Sequence, residues 1–188
     1  LGGVELPEPL AIHAAEPFGY RLRTGVRIEP GDDGYRVGYR ERGSWKLVPV
    51  SSCGVLVPDL ERFVVELPSH LPATGAPERL DVAVGDDGAI TTSPLVGGLG
   101  HGEVSRRVGD LTYAFDARCF FQGHGGLLAE LVEAVVGSAR GELAWDLYAG
   151  VGLFSLPLAR RYERVVAIEG DAGAARYARI NGRRNRLP

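Results

Sequence analysis

The chain has 188 residues, 45% of them hydrophobic, with 21 basic and 24 acidic side chains and a formal net charge of −3. This composition excludes a disordered or collagen-like chain and suffices for one large domain or two small ones. No apolar stretch approaches the ~18–20 residues that a membrane span needs, and no cationic, apolar leader is visible. Two cysteines are too few for a disulfide framework, so we expect a cytoplasmic protein that does not enter a membrane.

The sequence contains no methionine and begins Leu1-Gly2-Gly3. Because a natural chain begins with Met, we expect either that the start was removed or that this is an excerpt of a longer protein.

The first two thirds of the chain predict a β-rich region. Residues 1–17 contain prolines and no clear period, which is typical of a connecting segment. The following short apolar runs alternate and are separated by Gly, Pro and Asp turns, which favours strands. One run has apolar residues at helical spacing and predicts a helix over 59–67. The predicted strands cover 20–28, 35–40, 45–50, 79–84, 89–92, 103–108 and 111–115, with a glycine-rich loop at 94–102.

The pattern changes near residue 120. Helices are predicted over 127–136, 154–161 and 172–184, and short buried strands over 143–147 and 164–168. Helices that alternate with buried strands indicate an α/β unit with a parallel sheet. An open sheet of this kind normally has five or more strands. Two strands are a second indication that the sequence is an excerpt.

Charge is distributed unevenly. Residues 18–46 and 160–188 are rich in arginine, whereas residues 53–90 are acidic. The basic stretches could face a polyanion such as a nucleic acid. Solvated arginine on ordinary surface elements is the alternative.

A glycine turn follows the first buried strand. It reads Asp146-Leu-Tyr-Ala-Gly150-Val-Gly152, and Glu169 ends the next strand. Glycines at a strand-to-helix turn let a ligand approach the backbone, and an acid after the second strand can bind a ribose diol. Asp146 would attract an ammonium group and repel a pyrophosphate, which favours S-adenosylmethionine over a dinucleotide. A tight turn in a purely structural domain is the alternative.

With these residues in view, the chain resembles the RNA uracil-5-methyltransferases, which form 5-methyluridine in ribosomal or transfer RNA. The resemblance favours the ribosomal-RNA type and spans about residues 18–185. The matching stretches, in the family's order, are Gly19-Tyr-Arg-Leu-Arg23, Gly38-Tyr-Arg-Glu-Arg-Gly-Ser44, Cys53, Phe120-Phe-Gln122, Asp146-Leu-Tyr-Ala-Gly-Val-Gly-Leu-Phe-Ser155, Val165-Val-Ala-Ile-Glu169 and Ala178-x-x-Asn181-x-x-x-Asn185.

The resemblance implies a role for individual residues. Arg21 and Arg23 would face RNA. Glu169 would hold the ribose hydroxyls, and Asp146 would lie near the methionine end of the cofactor. The full set implied to bind S-adenosylmethionine is Gln122, Asp146, Tyr148, Gly150, Gly152, Leu153 and Glu169.

Three positions depart from the family pattern. Ala149 replaces the usual Cys and should be harmless. Leu153 replaces Asn or Thr, which removes a side-chain hydrogen bond near the cofactor. His124 replaces Asn and is expected to be an exposed loop residue.

The cysteines do not match the family's nucleophile, a thiolate that adds to C6 of uracil before a base removes the C5 proton. That nucleophile would lie beyond this sequence, so no catalytic residue is assigned. Cys53 matches a ligand of the iron–sulfur cluster in the ribosomal-RNA members. It is either a ligand whose partners lie outside this sequence or a buried thiol, since one cysteine cannot hold a cluster. Cys119 is expected in the core.

The resulting expectation is a β-rich α+β region followed by the incomplete start of a Rossmann-like class I methyltransferase sheet. The domains would be a connecting segment at 1–17, an RNA-facing region at 18–116 and a cofactor-binding part at 117–188. The full-length protein would be a monomer that methylates C5 of uridine in rRNA or tRNA. The alternatives are a module that binds RNA or cofactor without catalysis and a nicotinamide-dependent oxidoreductase.

Overall fold

The computed structural model describes residues 11–187, so the first part of the predicted connecting segment lies outside the described residues. Its largest sheet is antiparallel and has the strand order β3-β2-β1-β4-β5. The alternation that predicted β1 is present, because Thr24, Val26 and Ile28 are buried on one face. The strands are β1 (Arg23–Gly31), β2 (Gly34–Arg40), β3 (Leu47–Pro49), β4 (Arg79–Val84) and β5 (Ile90–Ser93).

Helix α1 (Pro58–His70) packs against this sheet and contacts β2 and β4. It begins with Pro58, whose fixed φ suits the first helical position and whose missing N–H costs nothing there. The helical spacing buries Leu60, Val64 and Leu67 on the side that faces the strands. The helix predicted over 59–67 is confirmed, with ends a few residues further out.

The second half of the described chain contains a hairpin and an α/β unit. The hairpin pairs β6 (Val104–Val108) with β7 (Leu111–Phe115) in antiparallel register. The α/β unit pairs β8 (Gly141–Leu147) with β9 (Tyr162–Ile168) in parallel register. Its helices are α2 (Leu128–Val136), α3 (Ser155–Leu158) and α4 (Ala172–Arg184). The change from antiparallel to parallel strands predicted near residue 120 is therefore confirmed.

Two predicted elements are shorter in the structure. Strand β3 covers three residues of the predicted 45–50, and Trp45 lies outside it with 85% of its surface exposed. Helix α3 covers four residues of the predicted 154–161. The Ala159 N–H still donates to the carbonyl four residues earlier, but the Arg160 and Arg161 N–H groups donate to carbonyls three residues earlier, so the segment tightens into a 3₁₀-like turn.

One continuous hydrophobic core runs through the described residues. It includes Val26 of the five-stranded sheet, Leu67 of α1, Phe115 of β7 and Tyr177 of α4. The predicted boundary between residues 116 and 117 therefore passes through packed side chains. Within residues 11–187, no helix has the length and apolar character needed to cross a bilayer.

Candidate functional site

The carboxyl ends of β8 and β9 lie side by side and form the centre of the candidate site. Leu147 pairs with Ile168 at the end of the two strands. The Ala149 N–H then donates to the Ile168 carbonyl at 3.0 Å. Because the strands are parallel, the glycine turn after β8 and the acid after β9 meet at the same edge of the sheet.

The Glu169 carboxylate joins the two strand ends. One oxygen accepts a hydrogen bond from the Gly150 N–H at 2.7 Å, and the other accepts from the Asp171 N–H at 2.8 Å. A carboxylate has about four acceptor positions, so both oxygens can still accept from a ligand hydroxyl. The structure thus places Glu169 directly at the glycine turn, where a ribose diol could be bound.

The two glycines of the turn serve different purposes. Both have positive φ, 56° at Gly150 and 94° at Gly152, a region that side chains with a Cβ rarely adopt. A Cβ at Gly152 would lie 2.6 Å from Leu156 Cδ1, so this glycine permits close packing of the helix. A Cβ at Gly150 would meet only the Phe120 carbonyl, at 3.8 Å. Gly150 therefore leaves open space beside the turn.

Tyr148 begins the turn in a strained conformation. Its φ is 64°, and 92% of its surface is exposed. A bulky residue in the left-handed region costs free energy and is uncommon outside functional sites. Folding gains little from an exposed ring, so this geometry is consistent with the ligand contact that the resemblance implies.

We expect Tyr148→Asn to raise the free energy of unfolding by about 1 kcal/mol, because Asn tolerates the left-handed region better than Tyr. Urea denaturation of the full-length protein would measure this. The same variant should bind S-adenosylhomocysteine less tightly because the aromatic face is lost. Tyr148→Phe keeps both the ring and the strain and is the control. Equal stability of the Asn and Phe variants would contradict the prediction.

Asp146 is buried on the face of β8 that the helices cover, at 7% exposure. The Ser155 hydroxyl donates a hydrogen bond to its carboxylate. Burial raises the pKa of Asp146, and the nearby Glu169 charge raises it further. Ser155 is the first residue of α3. Its role in holding Asp146 was not foreseen, because it depends on a contact across the turn.

We expect the stability of an Asp146→Asn variant to depend on pH. Burial raises the folded pKa of Asp146, so the contribution of this one group to stability falls as pH rises from the ordinary Asp value of about 3.9 to that raised value. Asn can still accept from Ser155 and carries no charge. The variant should therefore match the wild type in acid and exceed it at neutral pH.

Urea denaturation of the full-length protein from about pH 2 to about pH 8 would test this difference. Asp110→Asn is a control of opposite sign, because hydrogen bonds from Arg160 lower the pKa of Asp110. Relative to the wild type, that variant should lose stability as pH rises from the lowered value to the ordinary Asp value of about 3.9. If the free energy of unfolding of Asp146→Asn differed from that of the wild type by the same amount at every pH, the buried charge would not be the cause of the difference.

The segment Phe120-Phe-Gln122 passes beside the turn, but within the described residues Gln122 makes no hydrogen bond to the turn. Gln122 is half-buried and lines a groove with His13, His124 and Leu128. Its side chain makes no hydrogen bond with the residues that the structure describes. Phe120 lies nearer the turn and is 68% exposed. The structure therefore brings Glu169, Gly150 and Phe120 together and leaves Gln122 at the margin.

The two arginines expected to face RNA differ in their surroundings. Arg21 is exposed, and of its guanidinium nitrogens only Nε donates within residues 11–187, to the Arg23 carbonyl at 3.1 Å. The Arg23 guanidinium donates to the Cys119 carbonyl at 3.0 Å and lies 5.5 Å from the centre of the Phe120 ring. Burial lowers the pKa of Arg23, although Asp81 opposes this. Arg21 is available to a ligand, whereas Arg23 links β1 to the Phe120 segment.

Two departures from the family pattern have structural explanations. The prediction that His124 is an exposed loop residue is wrong: its ring is half-buried and stacks on Tyr20 with centroids 4.3 Å apart. Backbone bonds on either side of His124, from Leu22 N–H to Gly123 O and from Gly125 N–H to Tyr20 O, hold it there. Leu153 is 7% exposed and packs in the hydrophobic core, so an apolar side chain fits this position.

The cysteines have different surroundings. Cys119 is in the core as expected, and burial raises the pKa of its thiol to about 11, which makes it a poor nucleophile. Cys53 is half-buried, and its N–H donates to a Glu61 carboxylate oxygen at 2.6 Å. The part of the chain that the structure describes contains no group of three or more His, Cys, Asp or Glu placed to hold a metal. These residues alone do not fit an iron–sulfur cluster.

A parallel strand pair with a glycine turn and an acid at the second strand end defines the class of site: a Rossmann-like site for a nucleotide or nucleoside cofactor. The fold is shared with the crystal structure of Pyrococcus abyssi tRNA (uracil-54, C5)-methyltransferase in complex with S-adenosyl-L-homocysteine. The TM-score is 0.68 at 22% identity, covering 92% of this chain and 55% of that one. The expected combination of an antiparallel region and a Rossmann-like part is confirmed at the level of a mixed α/β fold with antiparallel sheets.

Sequence comparison identifies the relatives more closely. The chain is 31% identical over 199 residues to an uncharacterized RNA methyltransferase of Corynebacterium glutamicum, covering 93% of this chain and 47% of that protein. It is 30% identical over 241 residues to the 23S rRNA (uracil(1939)-C(5))-methyltransferase RlmD of Alkalilimnicola ehrlichii, covering 100% and 52%. No family model matches. The resemblance to the RNA uracil-5-methyltransferases is confirmed, and the chain spans about half the length of these relatives.

Proposed function

We propose that this chain belongs to an enzyme that transfers a methyl group from S-adenosylmethionine to C5 of a uridine in ribosomal RNA. The observation that carries the proposal is the hydrogen bond between Glu169 and the Gly150 N–H where two parallel strands end. The similarity to 23S rRNA (uracil-C5)-methyltransferases supports the choice of reaction and substrate. The tRNA methyltransferase that shares the fold was solved with S-adenosyl-L-homocysteine, which supports the choice of cofactor. Its substrate makes tRNA the second candidate.

The chain's own residues would bind and orient the cofactor. Glu169 would accept hydrogen bonds from the ribose hydroxyls, and the open side of Gly150 would admit the cofactor to the backbone. Tyr148 would lie against it. Burial raises the pKa of Asp146, which disfavours its ionised form. The positive charge of a methionine ammonium group nearby would stabilise the ionised carboxylate. S-adenosylmethionine supplies the methyl group as a sulfonium.

Gln122, Leu153 and Gly152 have smaller proposed roles. Leu153 and Gly152 would act through packing beneath the turn, since Leu153 is buried and Gly152 fits against Leu156. Gln122 remains a proposed cofactor contact at the margin of the turn, two residues after Phe120.

The proposed RNA-facing surface includes Arg21 and the connection between β2 and β3. Trp45 is 85% exposed in that connection, beside the exposed cations Arg42 and Lys46. Exposed aromatic rings among cations are suited to stacking on unpaired bases. Arg23 would contribute by holding the Phe120 segment rather than by touching phosphate.

We assign neither the nucleophile nor the base of the reaction to any residue within 11–187. A cluster that uses Cys53 would need cysteines from outside residues 11–187. A module that binds RNA or cofactor without chemistry remains the alternative proposal. We propose that the enzyme acts in the cytoplasm as a monomer.

To test the function, the full-length protein would be incubated with S-adenosylmethionine and 23S rRNA, and in parallel with tRNA. Nucleoside mass spectrometry would then measure the 5-methyluridine formed. For cofactor binding we expect Glu169→Ala to weaken S-adenosylhomocysteine affinity about 10- to 100-fold. Hydrogen bonds to a charged group contribute about 1.5–3 kcal/mol each. Isothermal titration calorimetry would measure the affinity.

The control is Glu163→Ala, which removes an exposed glutamate of β9 and should leave the affinity unchanged. NAD is the competing ligand and should bind neither form. Tighter binding of NAD than of S-adenosylhomocysteine would favour an oxidoreductase. Cofactor binding without 5-methyluridine in either RNA would favour a module without catalysis.

RNA affinity should depend on Arg21. We expect Arg21→Gln to weaken RNA binding and to reduce the slope of log K against log salt concentration by about 0.7–0.9, which is the loss of one phosphate contact. Filter binding at several salt concentrations would measure this. Arg62→Gln removes an exposed arginine of α1 that pairs with Asp59 and should change neither quantity. An unchanged slope for Arg21→Gln would place the RNA elsewhere.

A further inference from the structure

Asn181 lies in the C-terminal half of α4 with 0% of its surface exposed, and all three of its side-chain hydrogen bonds go to backbone atoms. Its Oδ1 accepts from the Ala114 N–H at 2.7 Å, and its Nδ2 donates to the Ala114 carbonyl at 3.0 Å. Nδ2 also donates to the Val151 carbonyl at 3.0 Å. The amide therefore contacts β7 and the glycine turn at once.

Asn185, one helical turn later, repeats the first part of this pattern on Thr112. Its Oδ1 accepts from the Thr112 N–H at 2.9 Å, and its Nδ2 donates to the Thr112 carbonyl at 2.8 Å. Its third bond runs to the Asn181 carbonyl at 2.8 Å, within the helix.

The spacing explains why two asparagines four residues apart can serve one strand edge. Thr112 and Ala114 are two residues apart in β7, so their N–H and C=O groups point to the same side, away from the partner strand β6. Side chains four residues apart lie on one face of a helix. The two amides thus take the place of a neighbouring strand along the open edge of β7.

Only Asn181 extends this contact to the glycine turn. Val151 lies between Gly150 and Gly152 and is 2% exposed. The peptide whose carbonyl Asn181 binds is joined to Gly152, and a Cβ at Gly152 would lie 3.5 Å from Ala178 Cβ in the preceding turn of α4. Helix α4 therefore contacts the turn at Val151 and Gly152, next to the Gly150 N–H that donates to Glu169.

We propose that Asn181 is a positioning residue for the cofactor turn, whereas Asn185 only closes the edge of β7. The bond to the Val151 carbonyl fixes the orientation of the Gly150–Gly152 backbone and with it the Gly150 N–H that Glu169 holds. The cofactor part of this inference rests on the proposed function.

The two residues provide a matched pair of variants. Asn181→Ala and Asn185→Ala each remove three hydrogen bonds, of which two go to β7 in both cases. Alanine is a good helix former, so Asn181→Ala does not weaken α4 through helix propensity, and Asn185 lies at the cap just after the helix. Both variants of the full-length protein should melt at lower temperature. Only Asn181→Ala should weaken S-adenosylhomocysteine binding, by about tenfold, which corresponds to the loss of about one such bond.

Hydrogen–deuterium exchange gives a readout that needs no cofactor. Peptides that cover residues 148–153 should exchange at least about tenfold faster in Asn181→Ala and at the wild-type rate in Asn185→Ala. Equal exchange in the two variants, or equal loss of cofactor affinity, would overturn the inference. If the wild type binds no S-adenosylhomocysteine, the proposed function fails while the exchange rates still decide the position of Asn181.

A wild-type measurement covers the case in which Asn181→Ala does not fold. The side-chain amide of Asn181 should give slowly exchanging proton resonances that shift when S-adenosylhomocysteine is added, and that of Asn185 should not shift. Equal shifts of both amides would overturn the inference, as would an unmoved Asn181 amide in a protein that calorimetry shows to be saturated.

Discussion

The hydrogen bonds between helix α4 and the open edge of β7 are the constraint on which the rest of the arrangement depends. They join a helix of the α/β unit to a hairpin that precedes it by about 70 residues in the sequence. The Tyr113 hydroxyl adds a buried bond to the Leu153 carbonyl at 3.1 Å. The exposed pairs Arg160–Asp110 and Arg184–Glu103 cross the same boundary but contribute little, since solvent screens them. The amides therefore decide how the β-rich part sits against the cofactor turn.

Two buried carboxylates near this boundary, Asp116 and Asp146, have pKa values shifted in opposite directions. Burial alone would raise the pKa of Asp116, but hydrogen bonds from Arg118 outweigh it and the net shift is downward. Burial and the repulsion of Glu169 raise the pKa of Asp146, and the hydrogen bond from Ser155 offsets only part of this shift. Among the described residues no cation pairs with Asp146. Asp116 is thus satisfied within the fold, while Asp146 would be stabilised by a positively charged ligand. A pyrophosphate would have the opposite effect.

The order of elements could be predicted from the sequence because it depends on local signals. Helix α4 was predicted with its observed ends, since Asp171 caps it by accepting from the Ala174 N–H and its apolar residues recur at helical spacing. Strands β4 and β7 were likewise bounded by turn residues. Helix α3 was predicted too long, because hydrophobic spacing does not distinguish an α-helix from a tighter turn over so few residues.

The contacts of the site were less accessible to sequence reasoning. Glu169 and the glycine turn could be placed together because parallel strands end at the same edge. The roles of Arg23, His124 and Asn181 depend on partners 30 to about 100 residues away, such as the Cys119 carbonyl for Arg23. No periodicity encodes such a pairing. The asparagine pattern was visible as a family feature, but its function becomes clear only once the edge of β7 is known to be open.

One face of the β8–β9 pair remains exposed within the described residues, and this bears on the cofactor turn. Trp145 is 59% exposed, Leu147 60% and Ile168 49%. Parallel strands in folded proteins are normally covered on both faces. The hydrogen bond from the Gly150 N–H to the Glu169 carboxylate joins the ends of these strands. Its geometry therefore depends on how rigidly the two strands are packed. Asn181 holds the turn from the helix side only. The hold on the cofactor turn therefore depends on what covers this face as well as on Asn181.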